Sequence, residues 1–88
     1  MPELSRFYGI VIRMYFNDTG QHSLPHFHVS YADAEAVYLL DGTLIDGELP
    51  PKQDKLVVAW AALHEQELEE NWRLATTTGE CYRIAPLR

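Results

Sequence analysis

The chain has one cysteine, few basic residues and no long hydrophobic run, and each shortage excludes a class of protein. Cys81 cannot form an internal disulfide, which fits a reducing compartment. Seven Lys and Arg stand against thirteen Asp and Glu, which argues against extended nucleic-acid binding because broad phosphate contact needs many cations. No apolar run reaches the roughly 20 residues that span a bilayer, and residues 1–3 lack the start of a signal peptide. We therefore expect a cytoplasmic protein without a membrane segment.

What is present is enough apolar material for one small domain. The chain has 88 residues, of which 47% are hydrophobic, so it has room for one core and none for a second. We predict a single domain over residues 1–88. Such a domain is only marginally stable alone, with a free energy of unfolding on the order of 5 kcal/mol. A protein partner is therefore expected to stabilise it, and self-association into a homo-oligomer is an alternative.

Alternating apolar and polar residues predict strands through the first half of the chain. The predicted strands cover residues 6–16, 26–31, 34–40 and 43–45, with a last short strand or extended tail at 82–87. The core face of the first strand is predicted to carry Tyr8, Ile10, Ile12, Met14 and Phe16. Asp41-Gly42 has the chemistry of a hairpin turn.

The second half has a helical period over residues 51–76, with Pro51 in the first turn and Gly79 as the stop. Its apolar stripe consists of Val57, Trp60, Ala61, His64, Leu68, Trp72 and Ala75. We expect a largely buried His64 with a lowered pKa, and a break near His64 is an alternative because the helix is long for so small a domain. The predicted fold is α+β: an antiparallel β-meander of about four to five strands, covered on one face by a long C-terminal helix.

Three of the four histidines lie close together between a polar loop and a strand. His26 and His28 are two residues apart in the predicted strand and share a face, and His22 in the loop can supply a third nitrogen. Neutral imidazole is a common ligand of zinc, copper and nickel. His22, His26 and His28 are therefore candidate ligands of a divalent metal such as zinc. The leading expectation is no cofactor, because the cysteines or carboxylates of a specific zinc motif are missing.

The same histidines are candidates for acid–base chemistry. If the first two strands form a hairpin, Arg13 and Tyr15 lie beside His26 and His28. An arginine that holds an anion, a phenol and two imidazoles suit a phosphodiester or another anionic substrate. The four are candidate catalytic residues, for example in RNA cleavage without a metal. The alternative is that this polar face only contacts a protein partner.

Several short segments, spread over nearly the whole chain, form a specific combination. They are residues 2–16, Pro25-His26-Phe27-His28-Val29, Gly47-Glu48-Leu49-Pro50, Trp60-Ala61-Ala62-Leu63-His64, Glu70-Asn71-Trp72 and Ile84-Ala85-Pro86-Leu87. In this combination the chain resembles the small bacterial proteins of the domain of unknown function 4160 family. Residues 22–28 correspond to the family's His-x-Pro-Pro-His-Phe-His, with Leu24 in place of the first proline.

The resemblance implies a small protein encoded beside a second small protein, in an arrangement that looks like a type II toxin–antitoxin pair. The leading hypothesis is the toxin component, which acts through the face of His22, His26 and His28 and is masked by its co-encoded, antitoxin-like partner. The alternatives are a non-catalytic protein-binding module and a metal-binding regulator. The resemblance supplies no catalytic residues, so whether the chain is an enzyme stays open.

Overall fold

The computed structural model describes residues 3–15 and 24–88, which form a five-stranded antiparallel sheet followed by two helices. The strands, which lie in the sheet in chain order, are β1 (Glu3–Phe7), β2 (Ile10–Arg13), β3 (His26–Tyr31), β4 (Ala34–Leu39) and β5 (Leu44–Gly47). The helices are α1 (Pro51–Leu63) and α2 (Glu65–Thr77). This confirms the predicted α+β meander. Neither helix is long and apolar enough to cross a membrane, as far as the structure describes the chain.

The single strand predicted over residues 6–16 is wrong, because the chain reverses at Tyr8 and Gly9 to give β1 and β2. Tyr8 has φ 51° and Gly9 has φ 80°, the two positive angles that a type I′ hairpin turn requires. The turn exposes Tyr8, which was predicted to face the core. A tyrosine rarely adopts a positive φ, so the sequence indicated this turn only through Gly9. Phe16, the last residue assigned to that face, lies outside the described residues.

The rest of the apolar face of the first strand is as predicted. Ile10, Ile12 and Met14 are fully buried. In β1, the pairing shifts between Glu3 and Ser5, so two consecutive residues, Leu4 and Ser5, are both buried. Such a bulge places two residues opposite one on the neighbouring strand.

The predicted strand over residues 26–31 and the turn at Asp41-Gly42 are confirmed. The Gly42 amide donates to the carbonyl oxygen of Leu39 at 2.9 Å, and the short strand that follows is β5. The predicted segment 82–87 is an extended tail, which the backbone N–H of Ile84 joins to the carbonyl of Leu4 on β1 at 2.7 Å. The indole N–H of Trp60 donates to Ala85 in the same tail at 2.9 Å.

The long helix is split at His64, the residue at which the sequence left a break open. His64 has φ −124° and ψ 26°, outside the helical region, and its backbone N–H donates to the carbonyl groups of Trp60 and Ala61. The side chain is 16% exposed and reaches Glu67, with 2.6 Å between Nδ1 and Oε1. His64 is therefore partly buried, since the break leaves its ring at the rim of the core. The other stripe residues are buried, except that Trp72 is half-buried.

Aromatic rings join the helices to the sheet. Trp60 lies with its ring centre 5.8 Å from both Phe7 and Phe27, and Phe27 stacks on Tyr38. The Tyr38 hydroxyl donates to a carboxylate oxygen of Asp54 in α1 at 2.6 Å. Burial, reinforced by the Asp54 carboxylate, raises the pKa of Tyr38. Helix α1 thus covers one face of the sheet and leaves the other face for the candidate site.

Candidate functional site

One row of residues crosses the sheet on the face away from the helices. Arg13 on β2 is directly opposite His28 on β3, His28 is opposite Val37 on β4, and Val37 is opposite Asp46 on β5. Directly paired residues in antiparallel strands point to the same face. A shorter parallel row joins Val11 to Ser30 and Ser30 to Glu35. The register therefore collects polar side chains from four strands on one surface.

These rows line a shallow cavity of about 330 Å³, called here the sheet groove. Its lining residues are Arg13, Tyr15, His28, Val29, Ser30, Glu35, Ala36, Val37, Asp46 and Gly47. The groove thus contains a guanidinium, an imidazole, a phenol, a hydroxyl and two carboxylates. It can hold a ligand that carries both charge and hydrogen-bonding groups.

Three of the four predicted catalytic residues meet in the sheet groove. The guanidinium Nη1 of Arg13 donates to the Ser30 hydroxyl at 3.2 Å, which fixes the arginine over β3. The Tyr15 ring stands edge-on to the His28 ring with 4.4 Å between their centres. The strand alternation therefore predicted the juxtaposition of Arg13, Tyr15 and His28 correctly. Their catalytic role stays a prediction.

His26, the fourth candidate, has different surroundings. Its side chain is 1% exposed, and its Nδ1 lies 2.7 Å from the carbonyl oxygen of Leu24. A carbonyl only accepts hydrogen bonds, so this nitrogen is the donor. The His26 ring centre lies 5.1 Å from that of Trp72 and 5.2 Å from that of His28. His26 therefore joins the first residues of β3 to α2 and contacts the groove through His28.

The candidate metal ligands cannot be compared as a set, because His22 lies outside the described residues. Within residues 3–15 and 24–88, no three His, Cys, Asp or Glu side chains are grouped so that they could hold a metal ion. A divalent metal held by His22, His26 and His28 stays a prediction.

The sequence reasoning missed three polar residues of the sheet groove. Ser30 follows His28 by two positions, so alternation places it on the same face, but it was not among the predicted site residues. Glu35 is directly opposite Ser30 in the hairpin of β3 and β4, so the register of that hairpin could have placed it in the groove. Asp46 faces the groove because the pairing of β4 with β5 shifts between Val37 and Tyr38. A bulge of this kind has no clear signature in the sequence.

The sequence of this small α+β domain matches a family model. The model described as Domain of unknown function (DUF4160) matches residues 9–73, and the chain belongs to this family. The matched range runs from β2 into α2 and includes every residue that lines the sheet groove. The comparisons with curated proteins and with solved structures give no match.

Proposed function

We propose that this protein is the active component of a toxin–antitoxin-like pair and that the sheet groove is its working surface. One observation carries the proposal: Arg13 and His28 are directly opposite each other, with the Tyr15 ring 4.4 Å from His28. A cation and an imidazole on adjacent strands, and a phenol two residues beyond the end of β2, thus share a single site. The proposed substrate is a phosphodiester, as in RNA.

Each of the three groups has a role in this reaction. Arg13 holds a phosphate oxygen and stabilises the charge that develops there. His28 accepts the proton of the attacking hydroxyl, the general-base role that an imidazole commonly takes. The Tyr15 phenol, next to His28, is the donor for the leaving oxygen. The net charge of −6 restricts the contact to a few phosphates at the groove.

A second candidate function is non-catalytic docking of a protein, and the carboxylates in the groove favour it. Glu35 and Asp46 line the same surface as Arg13. Such a mixture of charges repels a long polyanion and suits a protein segment with charges of both signs. In a toxin–antitoxin-like pair, the masking partner would bind this surface, so the two candidates share the groove and differ in chemistry.

Controlled expression in a bacterial host tests the first candidate. We expect growth arrest with the wild type and at least a tenfold loss of the effect in Arg13→Gln and His28→Ala. The matched controls are Arg73→Gln and His64→Gln, because Arg73 pairs with Glu70 and His64 pairs with Glu67 in the helical part of the chain, away from the groove. If the wild type leaves growth unchanged, the toxin proposal is wrong. If the groove variants arrest growth as the wild type does, the active surface is elsewhere.

The second candidate is tested with the product of the adjacent gene. Co-expression should relieve growth arrest and yield a complex of the two proteins. A complex that Arg13→Gln or Asp46→Asn weakens, without any growth arrest by the free chain, would favour docking alone.

Metal analysis of the purified protein tests the third hypothesis, in which His22, His26 and His28 bind zinc. A stoichiometric metal that His22→Ala removes would support it.

A further inference from the structure

Helix α1 contains an unbroken apolar run over residues 56–63. A helix that is apolar on all sides is typical of a position in which every side is covered. In this fold the core covers one side, with Val57, Trp60 and Ala61 buried. The opposite side consists of Val58, Ala59, Ala62 and Leu63, and we call these four residues the α1 apolar face.

The α1 apolar face is open in the folded chain. Leu63 is 69% exposed and Val58 is 39% exposed, and both alanines are exposed as well. The remaining contacts of α1 lie to the sides: Gly42 of the β4–β5 turn is next to Val58, and the tail contacts Trp60. What remains is an apolar ridge with two small residues in its middle.

Charges of opposite sign lie at the two ends of this ridge. Lys52 and Lys55 are exposed near the start of α1, and Lys52 shares a depression with Arg88. At the other end, α2 begins with an acidic segment in which Glu65, Glu69 and Glu70 are exposed. The surface is thus basic at one end, apolar in the middle and acidic at the other end.

We propose that the α1 apolar face binds a second copy of this chain, with the two α1 helices antiparallel. This orientation places the basic end of each copy beside the acidic end of the other. It also brings Val58 of one copy against Leu63 of the other and Ala59 against Ala62, where small side chains allow close approach of the helices. A surface that is complementary to itself after a half-turn gives a closed dimer. The charge pattern therefore selects a second copy over an unrelated partner.

The expected dimer is weak. Helix α1 is only about 20 Å long at ~1.5 Å per residue, so the contact is smaller than a standard interface of roughly 800 Å² per partner. We expect a dissociation constant on the order of 10 µM. The dimer leaves the sheet groove free, because the groove is on the other face of the sheet.

Sedimentation velocity of the full chain over a range of concentrations tests the apolar part of the interface. Leu63→Glu should weaken the dimer at least tenfold, because it places a carboxylate against the apolar side chain of Val58 of the other copy. Tyr82→Glu is the matched control, since Tyr82 is 66% exposed and lies outside the α1 apolar face. The proposal is wrong if the wild type is monomeric at about 1 mM, or if the two variants weaken the dimer equally.

A charge-reversal experiment tests the antiparallel orientation. Lys52→Glu combined with Lys55→Glu should weaken self-association, and so should Glu69→Lys combined with Glu70→Lys. The quadruple variant that combines both changes should dimerise about as well as the wild type, because in the antiparallel arrangement every end again meets its opposite charge. Double variants that self-associate as strongly as the wild type, or a quadruple variant that stays monomeric, would contradict the antiparallel arrangement.

Discussion

His26 and His28 lie two residues apart on β3, with 5.2 Å between their ring centres, yet their surroundings differ. His28 lines the sheet groove, whereas His26 is buried against Trp72 and bonded to the Leu24 carbonyl. Strand alternation alone treats the two as equivalent. The contact with α2 separates them, and we infer that His26 stabilises the fold while His28 serves the site.

The first prediction separates these two roles by substitution. His26→Ala should lower the free energy of unfolding by about 1–3 kcal/mol, because it removes a buried hydrogen bond and the packing against Trp72. His28→Ala should lower it by less than about 1 kcal/mol, because the residue is only half-buried. Urea denaturation of both variants measures the difference. Equal losses of stability would contradict the assignment.

The sequence predicted those parts of the fold that depend on a regular period. Alternation gave β3 its bounds, and the helical period identified the buried stripe that includes Trp60 and Leu68. The prediction failed where a single residue interrupts the period. Tyr8 adopts a positive φ in a turn, and the bulge in β5 moves Asp46 onto the groove. Such irregularities are set by tertiary packing.

The candidate site was predicted to a similar extent and for the same reason. The pairing of Arg13 with His28 follows from two adjacent strands and needs only their alternation. The burial of His26 depends on Trp72, which is far away in the sequence and lies in another element. No local pattern reports such a contact.

The second prediction concerns the two glycines at the ends of β5. Gly47 has φ 67°, and an added Cβ would clash with the carbonyl oxygen of Glu35. Gly42 has φ 94°, and its nearest neighbour would be the Val58 side chain at an ordinary 3.5 Å. Gly42→Ala should cost about 1–2 kcal/mol for backbone strain alone. Gly47→Ala should cost at least about 1 kcal/mol more, because β4 must also move.

Thermal unfolding of Gly42→Ala and Gly47→Ala measures this order. Gly47 and Glu35 both line the sheet groove, so Gly47→Ala should also impair the function of the groove. A Gly47→Ala protein as stable as Gly42→Ala would show that β4 and β5 are not packed as described.

The third prediction concerns Asn71, which holds the C-terminal tail. Its Oδ1 accepts the backbone N–H of Tyr82 at 2.6 Å, and its Nδ2 donates to the Glu67 carbonyl at 3.1 Å. Asn71→Ala should cost about 1–3 kcal/mol, because it removes a buried side chain and leaves the backbone N–H of Tyr82 without its acceptor. Asn71→Asp is the matched comparison: it keeps the acceptor for Tyr82, so the Tyr82 amide should stay protected, although a buried carboxylate against the Glu67 carbonyl lowers the stability. Hydrogen exchange should show faster exchange of the Tyr82 amide in Asn71→Ala, and unchanged exchange would contradict the anchoring role.

The last prediction is a loss of stability at alkaline pH that depends on Tyr38. Burial and the Asp54 carboxylate raise the pKa of Tyr38 in the folded chain, whereas an unfolded tyrosine ionises near pH 10. The protonated phenol is therefore favoured by folding: its contribution is complete below about pH 10 and is lost as the pH rises further, by at most about 1.4 kcal/mol per pH unit. Tyr38→Phe should be about 0.5–1.5 kcal/mol less stable at pH 7, because the bond to Asp54 is lost, and its stability should fall less steeply above pH 10. Urea denaturation from pH 7 to about pH 11 measures the free energy of unfolding of the two proteins. The other tyrosines are common to both, so they cancel in the comparison. Parallel curves of this free energy against pH would mean that Tyr38 ionises as readily in the folded chain as in the unfolded one.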